Sequence, residues 1–416
     1  MRIMVQKFGG TSVATKERML QVLDKVRKGL DTGCKVLVGL SARTGETNSL
    51  LTLAQEWSEE PDPAELDALV STGEQVSVAL FSMLLKDSGI NGRSLTGWQA
   101  GIITNDTFCK ARIRSIDTEA LKALFAAHDV LVVAGFQGTT AHGRITTLGR
   151  GGSDTSAVAL AAAAGAEVCE IYTDVEGVYT TDPNLCPKAR KLEKVSYDEM
   201  LEMASMGAKV LEIRSVEFAK KFKVPVLVRS TFSDAPGTLV TQEDSTMEHV
   251  MVSGIAYDKD QARITLGSVP DVPGVAATIF GSLAAARLSV DKIMQHPRRA
   301  DVWDSNLPVT RQALKRALGI MESLKEKLGV KEILSDDNVS KISAIGVGMR
   351  NHSGIAAKAF AALQKENINI IMISTSEIKI SCVIEEKYTE LAVRTLHDAF
   401  GLDCNSYMEE QCSPGA

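Results

Sequence analysis

The chain has few of the features that mark secreted, membrane-spanning or nucleic-acid-binding proteins. Its 416 residues include only seven cysteines, at positions 34, 109, 169, 186, 382, 404 and 412. The number is odd and no Cys-x-x-Cys pair occurs, so neither a disulfide framework nor a structural zinc site is supported, and reduced thiols are expected. Positive charge is not in excess, since 46 Lys and Arg face 52 Asp and Glu, a net charge of −6. That balance gives no general basic field for nucleic acid or an anionic membrane, so any bound anion must be met by a local cluster of cations. The most apolar helical stretch, Thr155 to Val168, is alanine-rich and shorter than the roughly 20 residues a bilayer requires. Met1-Arg2-Ile3-Met4-Val5 runs straight into a strand-like segment without a signal-peptide pattern, and a cytoplasmic location is expected. Six histidines show no metal-ligand spacing, so no protein-held metal ion is expected. Gly-x-Ser-x-Gly, Walker A and Rossmann fingerprints are also missing. What remains is lysine, arginine, glycine N–H groups and carboxylates, a set suited to phosphoryl transfer, where positioning and charge neutralisation do most of the catalysis.

At roughly 150 residues per domain, the length predicts two or three folded units. Through residue 241 short apolar runs alternate with longer amphipathic segments. Ile3–Phe8, Lys35–Ala42, Val130–Phe136, Glu167–Thr173 and Val224–Ser230 read as buried strands, and Thr15–Gly29, Ala64–Asp87, Thr118–Ala127, Asp154–Ala164 and Tyr197–Phe222 as helices. Such alternation predicts an α/β fold whose mostly parallel open sheet is covered by helices on both faces. Ligands then belong at the carboxyl ends of the strands. A polar stretch near Thr241–Thr246 reads as a linker, beyond which the sequence repeats itself at an offset of 80 residues. Gly274, Ala276, Ala277, Phe280, Leu283 and Ile293 recur as Gly354, Ala356, Ala357, Phe360, Leu363 and Ile373, with Val290 matched by Ile370. Seven coincidences in one register predict a duplicated small α+β module. The expected division is 1–241, a linker and start of a second region at 242–262, and two modules at 263–335 and 336–416.

Three clusters could carry chemistry. Lys7-Phe8-Gly9-Gly10-Thr11-Ser12 follows the first strand, and its paired glycines would let backbone approach a phosphate while Lys7 adds a point charge. An ordinary strand-to-helix turn explains Lys-x-Gly-Gly equally well. Gly149-Arg150-Gly151-Gly152-Ser153-Asp154 again opens a helix and combines a guanidinium with an N–H nest, although Asp154 could simply cap that helix. The segment Thr173-Asp174-Val175-Glu176-Gly177-Val178-Tyr179-Thr180-Thr181-Asp182-Pro183 is dense in hydroxyls and carboxylates, fit for a base and ribose or for plain surface loop. Two glycine-rich anion sites on one sheet suggest two anionic ligands, or one held at both ends. Ser41, Thr44, Thr47 and Asn48 fall where a loop should follow a strand, and Arg112 and Lys209 complete the set. Glu74, flanked by Val76, Val78 and Ala79, is expected to be partly buried and then needs a cation from the protein or a ligand.

Taken together, Lys7–Val13, Leu148–Asp154, Thr173–Pro183, Met206–Leu211 and Ser374–Ser381 resemble the aspartokinases of the amino acid kinase superfamily, over about residues 3–400. The repeated module is similar to the paired ACT domains of that family. The resemblance implies transfer of the ATP γ-phosphoryl group, with Mg²⁺, to the β-carboxylate of L-aspartate. It also implies feedback by lysine, threonine or both, and a homodimer or larger assembly through the ACT domains. Lys7 would stabilise the transferring group, Phe8, Gly9 and Gly10 would cradle it, and Asp154 would orient Lys7. Arg150 would clamp a substrate carboxylate and Glu74 would receive the α-ammonium. Ser41, Thr47, Arg112, Gly151, Gly152 and Ser153 would add substrate contacts, while Thr173, Asp174, Tyr179, Asp182 and Lys209 would form the nucleotide side. Effector contacts are implied at Asp271 and Gln295 in the first module and at Asn369 and Ile370 in the second. A related kinase for glutamate or N-acetylglutamate, and a non-catalytic amino-acid sensor, are the alternatives. Two departures stand out: Glu212-Ile213 replaces the family's common His-Pro beside the expected nucleotide edge, and Pro297, Arg298 and Arg299 weaken the strand expected after Gln295.

Overall fold

The computed structural model describes residues 1–206, 210–245, 247, 250–288, 294–299 and 302–404. It divides into one unit of Met1–Thr180 with Arg190–Val250 and another of Thr181–Ala189 with Met251–Ala416. In chain order the strands of the first unit are β1 (Ile3–Phe8), β2 (Lys35–Leu40), β3 (Gly92–Leu95), β4 (Ile102–Thr104), β5 (Ile113–Ile116), β6 (Val130–Ala134), β7 (Gln137–Thr139), β8 (Ile145–Thr147), β9 (Cys169–Thr173), β10 (Lys194–Ser196), β11 (Val226–Ser230) and β12 (Thr238–Thr241).

Eight of these build a sheet in the order β10-β12-β11-β9-β1-β2-β6-β3. Its pairings are parallel except that of β11 with β12. β6, Val-Leu-Val-Val-Ala, is buried at every position, the signature of a strand covered on both faces. Helix Lys16–Asp31 shows how the cover is attached. Thr15 caps it by accepting from the Arg18 N–H, and its buried Met19, Val22, Leu23 and Val26 recur at i, i+3, i+4 and i+7. Those side chains join Phe8, Val36, Val38, Leu40, Phe81, Val132 and Tyr172 in one core. Register aligns Phe8 with Leu40 and Tyr172, and Leu40 with Ala134. The loops leaving β1, β2, β6 and β9 therefore emerge along one edge, which is where the chemistry was expected.

The remaining strands of this unit form a separate four-stranded sheet, β5-β4-β7-β8. This corrects one expectation: the Gly149 loop leaves β8 of the smaller sheet, so the two glycine-rich turns do not belong to one sheet. Two long helices are also each divided. The stretch from residue 64 to 87 breaks at Ser71 into Pro63–Val70 and Thr72–Asp87, and the stretch from 197 to 222 into Tyr197–Ser205 and Ile213–Phe222. Helix Glu46–Trp57 was not anticipated and carries Thr47 and Asn48 in its first turn instead of a loop.

In the second unit β13 (Gly254–Pro270), β14 (Met294–Arg299), β15 (Val302–Val309), β16 (Glu332–Ile345), β17 (Met372–Ser376) and β18 (Lys379–Glu385) form one sheet, ordered β14-β15-β13-β16-β18-β17. Two cores flank it, one built from residues such as Ile264, Ile279, Leu283 and Leu307, the other from Ile255, Ile342, Leu363 and Leu396. The repeat is visible as two 11-residue helices, Val275–Ala285 and Ile355–Lys365. Each begins after a glycine in the left-handed region, Gly274 at φ 97° and Gly354 at φ 88°, a conformation other residues adopt only with strain. Val290 and Ile293 lie outside the described residues. Met294–Arg299 does form a strand despite Pro297, because it is an edge strand with a register shift between Pro297 and Arg299.

Candidate active site

β1 delivers Lys7 to the sheet edge, and helix Gly152–Ala164 brings Asp154 to meet it. Lys7 Nζ lies 2.5 Å from Asp154 Oδ1, with the two side chains only 11% and 13% exposed. Asp154 does not cap its helix. The N-cap is Gly151, at φ 62° and without a side-chain cap bond, so the carboxylate in the first turn is left for Lys7. Next along β1, Phe8 stacks its ring on Tyr172 with centroids 4.6 Å apart, deep in the core. Its carbonyl oxygen accepts from the Ser41 N–H at 3.2 Å, so the Phe8 ring is packing and not a wall of the site. Gly10 is required by close approach: a Cβ there would sit 2.7 Å from the Ala42 carbonyl oxygen. The turn after β1 thus rests on the turn after β2.

That second turn also holds Glu74. The Ala42 N–H donates to Glu74 Oε1 at 3.1 Å, while Oε2 is buried with no hydrogen-bond partner among the described residues. The residue is 3% exposed, so the sequence expectation of partial burial understated it. Burial pushes its carboxyl up to about 7, opposed by the Ala42 N–H and reinforced by the charge of Glu46. A buried carboxylate oxygen lacking a donor is a place made for a cation.

On the other side lie the arginines. Gly151 presses on Glu212 so closely that a Cβ would come within 2.2 Å of Glu212 Cγ. Burial raises the Glu212 carboxyl above its ordinary range, and the charge of Asp154 adds to this while Arg150 and Arg214 oppose it. Burial likewise holds the Arg214 guanidinium below its ordinary value, with the charge of Arg112 next in effect. Glu212 thus feels the charges of Asp154, Arg150 and Arg214, and Arg214 in turn feels Arg112. Glu212 and Arg214 were missed as site residues. Glu212 was legible only as a departure and assigned to the nucleotide edge, whereas it packs on Gly151. Arg214 donates to the carbonyl oxygens of Leu148 and Ala111, and nothing in its spacing signalled that. Gly152 opens the helix tightly against Phe136 and Leu148, and the buried Ser153 lies next to Gly135. Ser41 and Thr47 are both half-buried around the turn after β2.

The turn after β9 carries Thr173, whose hydroxyl donates to Asp174 Oδ1 at 3.0 Å, and the half-buried Tyr179, bridged to Lys191. Asp182 comes three residues after Tyr179 in the chain. It belongs to the second unit, where its carboxylate accepts from the Tyr257 hydroxyl at 2.9 Å and from Asn184. Lys209 lies outside the described residues. Among the expected effector residues, Asp271 and Asn369 are exposed, Ile370 packs against the second core, and Gln295 contributes backbone paired with Ser305.

Among the described residues no three His, Cys, Asp or Glu side chains converge as a metal site. Asp154, the carboxylate nearest Lys7, is already paired. The donor set fits a divalent ion that arrives on nucleotide phosphates and keeps several waters, as Mg²⁺ commonly does.

The sequence model of the amino acid kinase family matches residues 2–230, and that of an ACT domain matches residues 342–400. Over 405 residues the chain is 53% identical to an aspartokinase of Pseudomonas aeruginosa, covering 97% of this chain and 98% of the relative. Among solved structures it is similar to Escherichia coli aspartokinase III in complex with aspartate and ADP, described as the R-state. That match has a TM-score of 0.77 and 29% identity, covering 96% of this chain and 99% of that one. The same enzyme in complex with lysine and aspartate, the T-state, matches with a TM-score of 0.75 and 29% identity over 96% of this chain and 99% of that one.

Proposed function

This chain belongs to the aspartate kinases of the amino acid kinase family, and from that premise we propose how its residues divide the reaction between them. The reaction moves the γ-phosphoryl group of ATP onto the β-carboxylate of L-aspartate, giving 4-phospho-L-aspartate and ADP at the head of lysine, threonine and methionine biosynthesis. A carboxylate is already ionised at neutral pH, so no general base is called for. The difficulty is that two anions must meet. Fixed cations and N–H dipoles must cancel their repulsion without reorganising at the moment of transfer.

Lys7 neutralises the transferring phosphoryl group, with Asp154 holding the ammonium in place and the turn at Gly9 and Gly10 offering backbone to the phosphates. Glu74 Oε2 receives the α-ammonium of aspartate. Arg150, Arg112, Ser41, Thr47 and the N–H groups at Gly151–Ser153 hold its carboxylates. The turn with Thr173, Asp174 and Tyr179 takes the nucleotide. Mg²⁺ comes bound to ATP and adds charge neutralisation at the phosphates. The observation that carries this reading is the partnerless buried Glu74 Oε2, because an N-acylated acceptor such as N-acetylglutamate has no ammonium to place there. The test is an ADP-release assay with aspartate, glutamate and N-acetylglutamate on wild type and Glu74→Gln. Aspartate-dependent release that weakens in the variant is expected, and equal turnover of N-acetylglutamate and aspartate would overturn the assignment.

For the ACT region we assign an amino-acid effector, lysine first given the lysine-bound E. coli relative, to Asp271, Gln295, Asn369 and Ile370. Calorimetric titration of the full chain with lysine, threonine and their mixture checks this, and an absence of heat in all three removes it. Pairing of chains through the ACT region and a cytoplasmic location complete the proposal.

A further inference from the structure

One buried carboxylate has no part in that scheme. Asp67, in helix Pro63–Val70, is 0% exposed, yet its oxygens receive three hydrogen bonds. Oδ2 accepts from the Cys109 N–H at 2.9 Å and from the Thr147 N–H at 2.9 Å, and Oδ1 accepts from the Thr147 hydroxyl at 2.5 Å. None of these donors is cationic. A carboxylate taken out of water is expensive unless donors converge on it, and here they come from two separate segments. One is the 105–112 loop and the other the end of β8. Cys109 sits at φ 63°, a left-handed conformation that a non-glycine residue adopts under strain, and its N–H bond to Asp67 secures it. The Cys109 carbonyl in turn faces Gly149, where a Cβ would come within 3.1 Å of it. The Ala111 N–H donates to the Thr147 carbonyl at 2.9 Å, and Arg214 fastens the far side through Leu148 and Ala111. Burial and the charge of Asp67 push the Cys109 thiol up to about 11, so it stays protonated beside the carboxylate.

The two segments so joined each carry an arginine of the acceptor side, three residues on: Arg112 after Cys109 and Arg150 after Thr147. We propose that Asp67 is a positioning residue for the acceptor-binding arginines, its carboxylate locking the 105–112 loop to β8 so that Arg112 and Arg150 keep a fixed separation. The proposal rests on the reading of those arginines as aspartate contacts. It separates their placement, set by Asp67 through Cys109 and Thr147, from their charge.

Steady-state kinetics of full-length Asp67→Ala should show the aspartate KM raised roughly tenfold or more, since small misplacements of binding groups act on this scale. The ATP KM should stay within about twofold, because the nucleotide side is not fastened by Asp67. Asp67→Asn keeps an acceptor for both N–H groups and can donate to the Thr147 hydroxyl, so it should restore the aspartate KM to within about threefold of wild type. An unchanged aspartate KM in Asp67→Ala, or aspartate and ATP KM rising together, overturns the proposal. If Asp67→Ala does not fold, Thr147→Val decides. Removing one hydroxyl bond should raise the aspartate KM about threefold, and no change overturns the role. Arg112→Ala and Arg150→Ala belong in the same series. If neither shifts the aspartate KM, the acceptor assignment fails and the positioning role falls with it. If both shift it while Asp67→Ala does not, only the role of Asp67 fails.

Discussion

Asp154 and Glu74 are both largely shielded carboxylates near the same strand edge, Glu74 the more deeply buried, and they are finished differently. Asp154 has its cation built in, with Lys7 Nζ 2.5 Å away. Among the described residues, Glu74 has the Ala42 N–H on Oε1 and no partner on Oε2. Under the division of roles proposed above, the difference separates what the chain keeps permanently from what the substrate must bring. On the phosphoryl side, charge balance is preset, so the ammonium need not search for its position during transfer. On the amine side the balance is left open, and only an acceptor with its own positive charge closes it.

The sharpest way to break the comparison is Lys7→Ala, which leaves Asp154 buried without its counter-charge. Turnover should fall by about 10³-fold or more while the far-ultraviolet circular dichroism spectrum stays native. Near-normal turnover would mean the preset pair is not the reacting centre. Arg150→Ala comes next and should appear in the aspartate KM, raised roughly 30- to 160-fold, the factor that goes with losing about 2–3 kcal/mol of charge-assisted hydrogen bonding. An effect confined to the ATP KM would move Arg150 to the other side of the site.

Glu74→Gln tests the open half through pH. Because the folded-state carboxyl lies at about 7, above its ordinary 4.5, the empty protein holds that proton longer than the unfolded chain does. The empty protein should therefore lose stability as pH climbs from 4.5 towards 7, with no further loss above that range. The ionised form is the one that binds ammonium, so the aspartate KM should fall as pH rises to about 7 and then level off. Glu74→Gln should abolish both trends, and a KM profile identical to wild type would count against Glu74. The smallest effect is expected at Glu212→Gln. Removing a negative charge that competes with the substrate carboxylates for Arg150 should lower the aspartate KM by about twofold, and a rise would show that Glu212 assists binding.

Much of this was legible in the sequence for a physical reason. Parallel strands buried on both faces are apolar along their whole length, so β1, β2, β6, β9 and β11 announce themselves, and the carboxyl end of β1 fixes where Lys7 must sit. Short strands of the smaller sheet leave no such trace. Ile145–Thr147 is only three residues, and its sheet membership depends on partners far away in sequence. Helix breaks at Ser71 and after Ser205 were hidden because the hydrophobic pattern continues across them. Glu212, Arg214 and Asp67 could not be found by spacing. Each acts on a segment dozens of residues distant, and a carboxylate that accepts from backbone N–H groups has no sequence signature. For Asp182 the sequence held no sign of its hydroxyl partner, Tyr257, which lies 75 residues away.

Along the C-terminal region, β13 runs for 17 residues and is paired with β16 at one end and with both β15 and β16 at the other. Its register slips between Asp258 and Arg263, where the backbone leaves one core and enters the other. The duplicated halves are therefore not beads on a string. Hydrogen exchange should report their shared ribbon opening as a single cooperative event.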